Sequence, residues 1–179
     1  DDLKESVDQA VDAFKQGKPI NLHAQIMEKY PSEILNLITS QLTPDKFEHL
    51  VKFYFEKCGA SEVYIPPKNA KDKNGERDAD ADVVAVFESI KTSIYAQVKF
   101  HKVASETDDW AVKQIKAYRQ NKESMDDGYA KVAWVISSAN QYTEACVKLA
   151  QEENILLIHG TRFAEMLLEV GLMDLNVVR

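Results

Sequence analysis

Two β-strand patterns separated by only three residues constrain the fold of this chain most strongly. They are DVVAVFE (82–88) and TSIYAQVKF (92–100), and each is rich in the β-branched and aromatic residues that favour strands. A connection of three residues is too short for a crossover helix, so the two strands are expected to form an antiparallel hairpin. In the second strand, Gln97 and Lys99 share one face because strand side chains repeat every second residue.

The C-terminal half alternates between strand and helix patterns. Strands are predicted at 131–137 and 155–158, and helices follow at 141–153 and 161–171. Such alternation implies parallel strands joined by right-handed crossovers. Further helices are predicted at 2–16, 21–29, from Pro31, from Thr43 to Gly59, and around 108–122. The sequence therefore predicts an α/β fold with a mixed central sheet flanked by helices.

Composition limits the class of protein only broadly. The chain has 179 residues, a net charge of −7 and two cysteines, Cys58 and Cys146, which lack zinc-binding spacing and are expected to be buried thiols. An acidic total argues weakly against broad, non-specific nucleic-acid binding, but basic residues can still cluster on one face. The N-terminal segment is acidic and amphipathic, unlike a signal peptide or a membrane span, so a cytoplasmic protein with no membrane partner is expected.

The hairpin brings polar residues together at one end. If the turn is centred near Ile90, Asp82 at the start of the first strand lies next to Gln97, Val98 and Lys99 at the end of the second. Mg²⁺ takes oxygen ligands and needs few carboxylates. Asp82, the Gln97 side-chain carbonyl and the Val98 backbone carbonyl could supply such oxygens, while Lys99 could position a water or stabilise phosphate charge. The alternative for Lys99 is a lysine whose stem packs along an edge strand.

At these residues the chain resembles the Mrr-like branch of the PD-(D/E)xK nucleases, whose motif is written D…QxK. RDADADVVAVFE stands where the family has an Asp-rich turn leading into a strand, and AQVKFHK stands where it has QxK. TPDKFEHLVKFYFEKCG matches the first core helix, and residues 132–169 match the later strand–helix–strand–helix end. The resemblance covers about residues 43–169. It implies a restriction-endonuclease-like core at 41–179 preceded by an N-terminal helical extension at 1–40.

The resemblance also implies a set of site residues. Asp82, Gln97 and Lys99 would carry the active site, and Glu48 would be an additional acidic residue from the first helix. The family's Gly-rich turn is replaced here by DADAD, which leaves Asp78 and Asp80 as extra carboxylates. They are expected in a solvated loop, with metal contact as the alternative.

Basic residues after the motif are candidates for phosphate contacts, with solvated surface charge as the alternative. They are His101, Lys102, Lys113, Lys116 and Arg119.

The expected function is a Mg²⁺-dependent DNA endonuclease of the Mrr restriction type, with Mn²⁺ as a substitute ion. By resemblance, cutting both strands calls for a homodimer or larger assembly, and specificity or ATP-driven domains could lie outside this chain. Three alternatives stay open: a junction- or flap-specific nuclease, an inactive DNA-binding or assembly module, and an RNA nuclease.

Overall fold

The computed structural model describes residues 2–18, 29–67, 79–103, 105–172 and 174–178. Its helices are α1 (Asp2–Lys15), α2 (Pro31–Gln41), α3 (Pro44–Lys57), α4 (Trp110–Glu123), α5 (Glu144–Glu152) and α6 (Gly160–Glu169). Its strands are β1 (Glu62–Tyr64), β2 (Val83–Phe87), β3 (Thr92–Lys99), β4 (Glu106–Thr107), β5 (Ala130–Ser137), β6 (Gln141–Tyr142) and β7 (Leu156–Ile158). Short 3₁₀ helices cover Glu88–Ile90 and Leu175–Val178.

The main sheet has five strands in the order β1-β2-β3-β5-β7. β1, β2 and β3 run antiparallel, whereas β3, β5 and β7 run parallel. β4 and β6 form a separate two-stranded parallel sheet. The mixed α/β architecture predicted from the sequence is confirmed.

The β2–β3 hairpin forms as predicted. Val83 lies opposite Ala96 and Phe87 opposite Thr92. The 3₁₀ turn ends at Lys91, whose φ of 47° is left-handed and lets the chain reverse into β3. The observed register places Asp82, one residue before β2, level with Gln97.

Helices pack on both faces of the sheet. On one face, α3 and α6 pack over alternate residues of β2 and β3 such as Val83 and Val98. On the other face, α4 and α5 pack over Val84 and Tyr95. Because alternation sends odd-numbered β3 residues to the same face as Tyr95, Gln97 and Lys99 face α4.

Helix α3 begins and ends as its sequence predicts. The Thr43 hydroxyl accepts a hydrogen bond from the Lys46 N–H at 3.3 Å, which satisfies one free donor of the first turn. Pro44 occupies the first turn, where its missing N–H costs nothing. Gly59 has a φ of 87°, which suits a glycine just after the helix.

Helix α2 belongs to the same core as the rest of the sheet. Ile38 is fully buried with residues of α3 and α6, and Leu42 lies beside it. Gly160 at the start of α6 lies so close to the end of β5 that a Cβ there would be 2.4 Å from the Ser138 carbonyl oxygen. The predicted division at residue 40 therefore falls within a shared core and stays a prediction.

Two sequence predictions need correction, and a third falls mostly outside the described residues. The helix predicted at 141–153 begins at Glu144 with Thr143 as its cap, because Gln141 and Tyr142 pair with β4. Cys58 is exposed, since it caps α3 rather than facing its core. Most of the helix predicted at 21–29 lies outside the described residues.

Within the described ranges, no helix is long and apolar enough to cross a membrane.

Candidate active site

Asp82 lies at the end of the backbone hydrogen-bond ladder between β2 and β3. Its side chain takes the place of the backbone carbonyl that would accept the next hydrogen bond of that ladder. The Asp82 N–H donates to the Ala96 carbonyl at 2.9 Å. The Val98 N–H donates to Asp82 Oδ2 at 2.7 Å, so a carboxylate takes the place of a backbone carbonyl. Asp82 is 4% exposed. The Val98 N–H and the Gln97 side-chain amide both donate to its carboxylate and so compensate the cost of burying its charge.

Gln97 presents a buried carbonyl oxygen at the end of the hairpin. Its Nε2 donates to Asp82 Oδ2 at 2.6 Å. A carboxylate can only accept, so this contact fixes which end of the amide faces Asp82. The other end, Oε1, is buried and accepts no hydrogen bond from any residue that the structure describes. Leaving such an acceptor unpaired costs about 1–3 kcal/mol, so a ligand for this oxygen is the natural explanation.

Lys99 is held by a residue that the sequence argument missed. Its Nζ donates to Gln114 Oε1 at 2.9 Å, and Gln114 is 5% exposed on α4. Gln114 shares a helical stripe with Ala111, Ile115 and Tyr118, which pack against the sheet. A polar residue within an apolar stripe is the signal that could have marked it, because buried amides need partners.

Glu48 and Asp80 approach the hairpin from different elements. Glu48 is half-buried on α3, and the ring of its neighbour Phe47 packs on Phe100 with centroids 5.6 Å apart. Glu48 therefore comes from the helix on the sheet face opposite α4. Asp80 is 3% exposed, so the expectation of a solvated loop is wrong for this residue. Its N–H donates to the Gln114 carbonyl at 3.4 Å, which places it under α4. Asp78 lies outside the described residues.

His101 is fixed just beyond the motif. Its N–H donates to Ser138 Oγ at 2.7 Å, and the same hydroxyl donates to the His101 carbonyl at 3.0 Å. Its ring contacts the Thr107 hydroxyl at 3.2 Å. Burial, with the nearby Lys99 ammonium, lowers the pKa of His101, so its ring is neutral at pH 7.

The other basic candidates differ in their exposure and in the contacts that their side chains make within the protein. Lys102 is exposed, and Lys113 forms an exposed ion pair with Asp109 at 2.8 Å. Lys116 pairs with Glu153 at 2.7 Å. The Arg119 side chain is 13% exposed and donates to the carbonyls of Glu153 and Asn154. Lys116 and Arg119 thus tie α4 to the turn after α5 and have less freedom to meet a phosphate.

The donor set fits a magnesium ion better than a softer metal. Among the described residues, no three His, Cys, Asp or Glu side chains cluster as metal ligands. The hairpin end instead offers one carboxylate, the unpaired Gln97 oxygen and the Val98 backbone carbonyl. Mg²⁺ prefers oxygen ligands, keeps several waters and needs one or two protein carboxylates. The unpaired Gln97 oxygen is the observation on which this fit depends.

The fold and this arrangement of Asp, Gln and Lys correspond to the D…QxK pattern from which the sequence predicted a domain of the PD-(D/E)xK class. The model of the Mrr catalytic domain, described as "Restriction endonuclease", matches residues 39–167. The chain therefore belongs to the restriction endonuclease family, as the sequence resemblance indicated. Among curated proteins, no sequence match is found.

Three solved structures show partial similarity to this chain. A repair endonuclease from Pyrococcus abyssi is 20% identical, with 62% of this chain and 45% of that chain covered and a TM-score of 0.38. A complex of EndoMS with double-stranded DNA is 13% identical, with 67% and 46% covered and a TM-score of 0.41. The MspJI restriction endonuclease with a 27-mer oligonucleotide is 14% identical, with 86% and 33% covered and a TM-score of 0.45. The chain thus spans less than half of each of these proteins.

Proposed function

We propose that this chain is a Mg²⁺-dependent DNA endonuclease of the Mrr restriction type. The observation that carries the proposal is the buried Asp82–Gln97–Val98 cluster, in which Gln97 Oε1 accepts no hydrogen bond from the residues that the structure describes. Lys99 follows on the same face of β3 as Gln97. Asp82, Gln97 and the Val98 carbonyl would hold the ion. When bound, a divalent metal lowers the pKa of its water and neutralises charge on a phosphodiester.

The protein's own residues orient the reaction around that site. Lys99 would position the attacking water or stabilise charge on the phosphate oxygens, and Gln114 holds its Nζ in place. Glu48, from the opposite face of the sheet, is proposed as an additional acidic group. Mn²⁺ is expected to substitute for Mg²⁺, because both accept carboxylate, carbonyl and water oxygens.

The DNA contacts proposed from the sequence divide into two groups. Lys102 and Lys113 are exposed and remain candidates for backbone phosphates, with His101 as a neighbour at the mouth of the site. Lys116 and Arg119 are omitted because both bind the turn after α5.

The proposed unit is a nuclease domain at 41–179 with an N-terminal helical extension at 1–40. Cutting both DNA strands needs two active sites, so a homodimer or a larger assembly is proposed, with further specificity or ATP-driven domains outside this chain. A cytoplasmic location suits such an enzyme.

The test is cleavage of supercoiled plasmid by the wild type, Asp82→Ala and Lys99→Ala, each with Mg²⁺, Mn²⁺ or EDTA. Both variants are expected to fold and to lose at least about 100-fold in cleavage rate, as loss of a positioned catalytic group typically does. Lys148→Ala, which changes an exposed lysine on α5, is the matched control and should cut at the wild-type rate.

The substrate panel separates the alternatives. It contains methylated and unmethylated plasmid, a four-way junction, a flap and a single-stranded RNA. Preference for the junction or flap would support a structure-specific nuclease, and cleavage of the RNA alone would support a ribonuclease. A folded protein that binds DNA but cuts no substrate would indicate an inactive binding module. Wild-type cleavage by Lys99→Ala would refute the assignment of this residue.

A further inference from the structure

A polar cleft of about 560 Å³ opens beside the proposed active site. It lies where β3 and β5 end, with α2 on its other side, and we call it the β3–β5 cleft. Its polar lining residues include Asn36, Lys102, Ser105, Glu106, Asn140 and Gln141. Its volume falls within the range of about 300–1,000 Å³ that is usual for small-molecule sites.

The wall of the β3–β5 cleft is hydrogen-bonded to the strand that carries Gln97 and Lys99. The Ser138 N–H, in the cleft wall, donates to the Lys99 carbonyl at 3.0 Å. Asp82 lies on the β2 side of β3 and the cleft on its β5 side, which corresponds to two strand spacings, or about 10 Å. At a rise of about 3.4 Å per nucleotide, the cleft is about three nucleotides from the proposed metal site.

The charge of the cleft suits a base better than a phosphate. Of its lining residues, Lys102 and Glu106 carry opposite charges that offset each other. His101 is neutral at pH 7 because burial lowers its pKa. A phosphate site needs an excess of positive charge, whereas base edges offer both donors and acceptors.

The hydrogen-bonding groups of the lining support the same conclusion. Asn140 Oδ1 accepts from the Thr161 N–H at 2.8 Å and from its hydroxyl at 2.9 Å. These bonds orient the Asn140 amide so that its NH₂ group is left to donate. Ser105 Oγ is buried and has no hydrogen-bond partner among the described residues. Asn36 and Gln141 are exposed amides that can both donate and accept.

We propose that the β3–β5 cleft holds the base of a nucleotide within about three positions of the cut phosphodiester. Its amides, Asn36, Asn140 and Gln141, give the cut a base preference at that position. This inference rests on the proposed nuclease function and adds a specificity site to it.

The test maps the ends produced when the protein cuts mixed-sequence DNA, for the wild type and for the double variant Asn36→Ala/Gln141→Ala. Each well-formed amide–base pair discriminates by about 1–3 kcal/mol. The wild type should therefore show a base preference within three positions of the cut, and the double variant should reduce it at least about fivefold. Affinity for random duplex DNA should stay within about twofold, because phosphate contacts are unchanged.

Two tryptophan variants, one that fills the cleft and one that does not, form a matched pair for the same test. Asn36→Trp should abolish the preference, whereas Gln41→Trp, an exposed position on the other side of α2, should retain it. Urea unfolding midpoints of the two variants check that both fold equally well. An unchanged preference in Asn36→Trp and in the double variant would overturn the inference.

A second readout does not depend on cleavage. Duplexes bound from a random pool in Ca²⁺ are sequenced for the wild type and the double variant. Base selection by the wild type that is lost in the double variant, together with no cleavage of any substrate in Mg²⁺ or Mn²⁺, would uphold the cleft and refute the nuclease. Cutting by the wild type with no base preference near the cut would refute the cleft alone. A wild type that neither binds nor cuts DNA would refute both.

Discussion

At the scale of single residues, the hairpin end concentrates polar groups whose geometry is unusually constrained. Asp82 Oδ2 accepts from both Gln97 and the Val98 N–H, within 2.7 Å. These contacts force the Gln97 oxygen away from Asp82 and leave it buried, with no donor in the part of the chain that the structure describes. Hairpin pairing alone predicted that Asp82 and Gln97 would be neighbours, because residue separation across a short turn sets the register. The orientation of the amide depends on packing and could not be predicted.

Gln97→Glu tests whether this oxygen is a metal ligand. The variant places a second carboxylate against Asp82 Oδ2 and removes a charged hydrogen bond, which is worth about 1.5–3 kcal/mol. We expect its free energy of unfolding in EDTA to fall by about that amount, and Mg²⁺ or Mn²⁺ to stabilise it more than the wild type. Urea unfolding with and without metal measures both effects. Gln120→Glu, exposed on α4, is the control, and equal metal stabilisation in all three proteins would argue against a ligand role.

Gln114→Leu tests how Lys99 is held. The change removes the acceptor of the Lys99 Nζ while preserving a buried side chain of similar size on α4. We expect the cleavage rate to fall about tenfold or more with DNA affinity unchanged, because positioning acts on the chemical step. A lower affinity with an unaltered rate would indicate a purely structural role.

At the scale of elements, the main sheet and its helices follow from local signals, whereas contacts between helices do not. Thr43, Pro44 and Gly59 mark the ends of α3 in the sequence, and the structure confirms all three. The basic residues of α4 illustrate the limit. Their spacing predicted a common helical face, but Arg119 is buried against the turn after α5, a contact between segments that lie 34 residues or more apart.

Arg119→Ala is expected to destabilise the protein by about 1.5–3 kcal/mol. The change leaves the carbonyls of Glu153 and Asn154 without their charged donor, and hydrogen bonds to charged groups are worth about that much. Lys113→Ala, on the same helix, breaks only an exposed ion pair and should cost less than about 1 kcal/mol. Chemical denaturation compares the two, and a smaller loss for Arg119 than for Lys113 would contradict the packing argument.

At the scale of the whole molecule, the helices before residue 43 are not equivalent. Phe14 of α1 is 76% exposed, and Val11 is also exposed. Ile38 of α2 is fully buried, and Leu35 and Leu42 are buried with little exposure. The family match begins at residue 39, so part of α2 lies outside it although its side chains complete the core.

Truncation tests this distinction. Removal of residues 1–18 should leave the unfolding free energy and plasmid cleavage nearly unchanged. Removal of residues 1–42 should prevent cooperative folding, because each large buried aliphatic side chain lost from a core costs about 2–5 kcal/mol. Circular dichroism and urea unfolding of the two fragments provide the measurement. A cooperative, wild-type-like transition in the shorter fragment would show that α2 is dispensable.

The sequence by itself determined the strand–helix alternation of the C-terminal half, the antiparallel hairpin and the neighbourhood of Asp82 and Gln97. These depend on local periodicity, capping residues and the length of one turn. The tertiary structure decided which side chains meet across elements: Gln114 with Lys99, Asp80 beneath α4, Arg119 with the turn after α5, and the cleft beside β3. Such contacts depend on how helices dock on the sheet, and docking is set by the fit of many side chains at once.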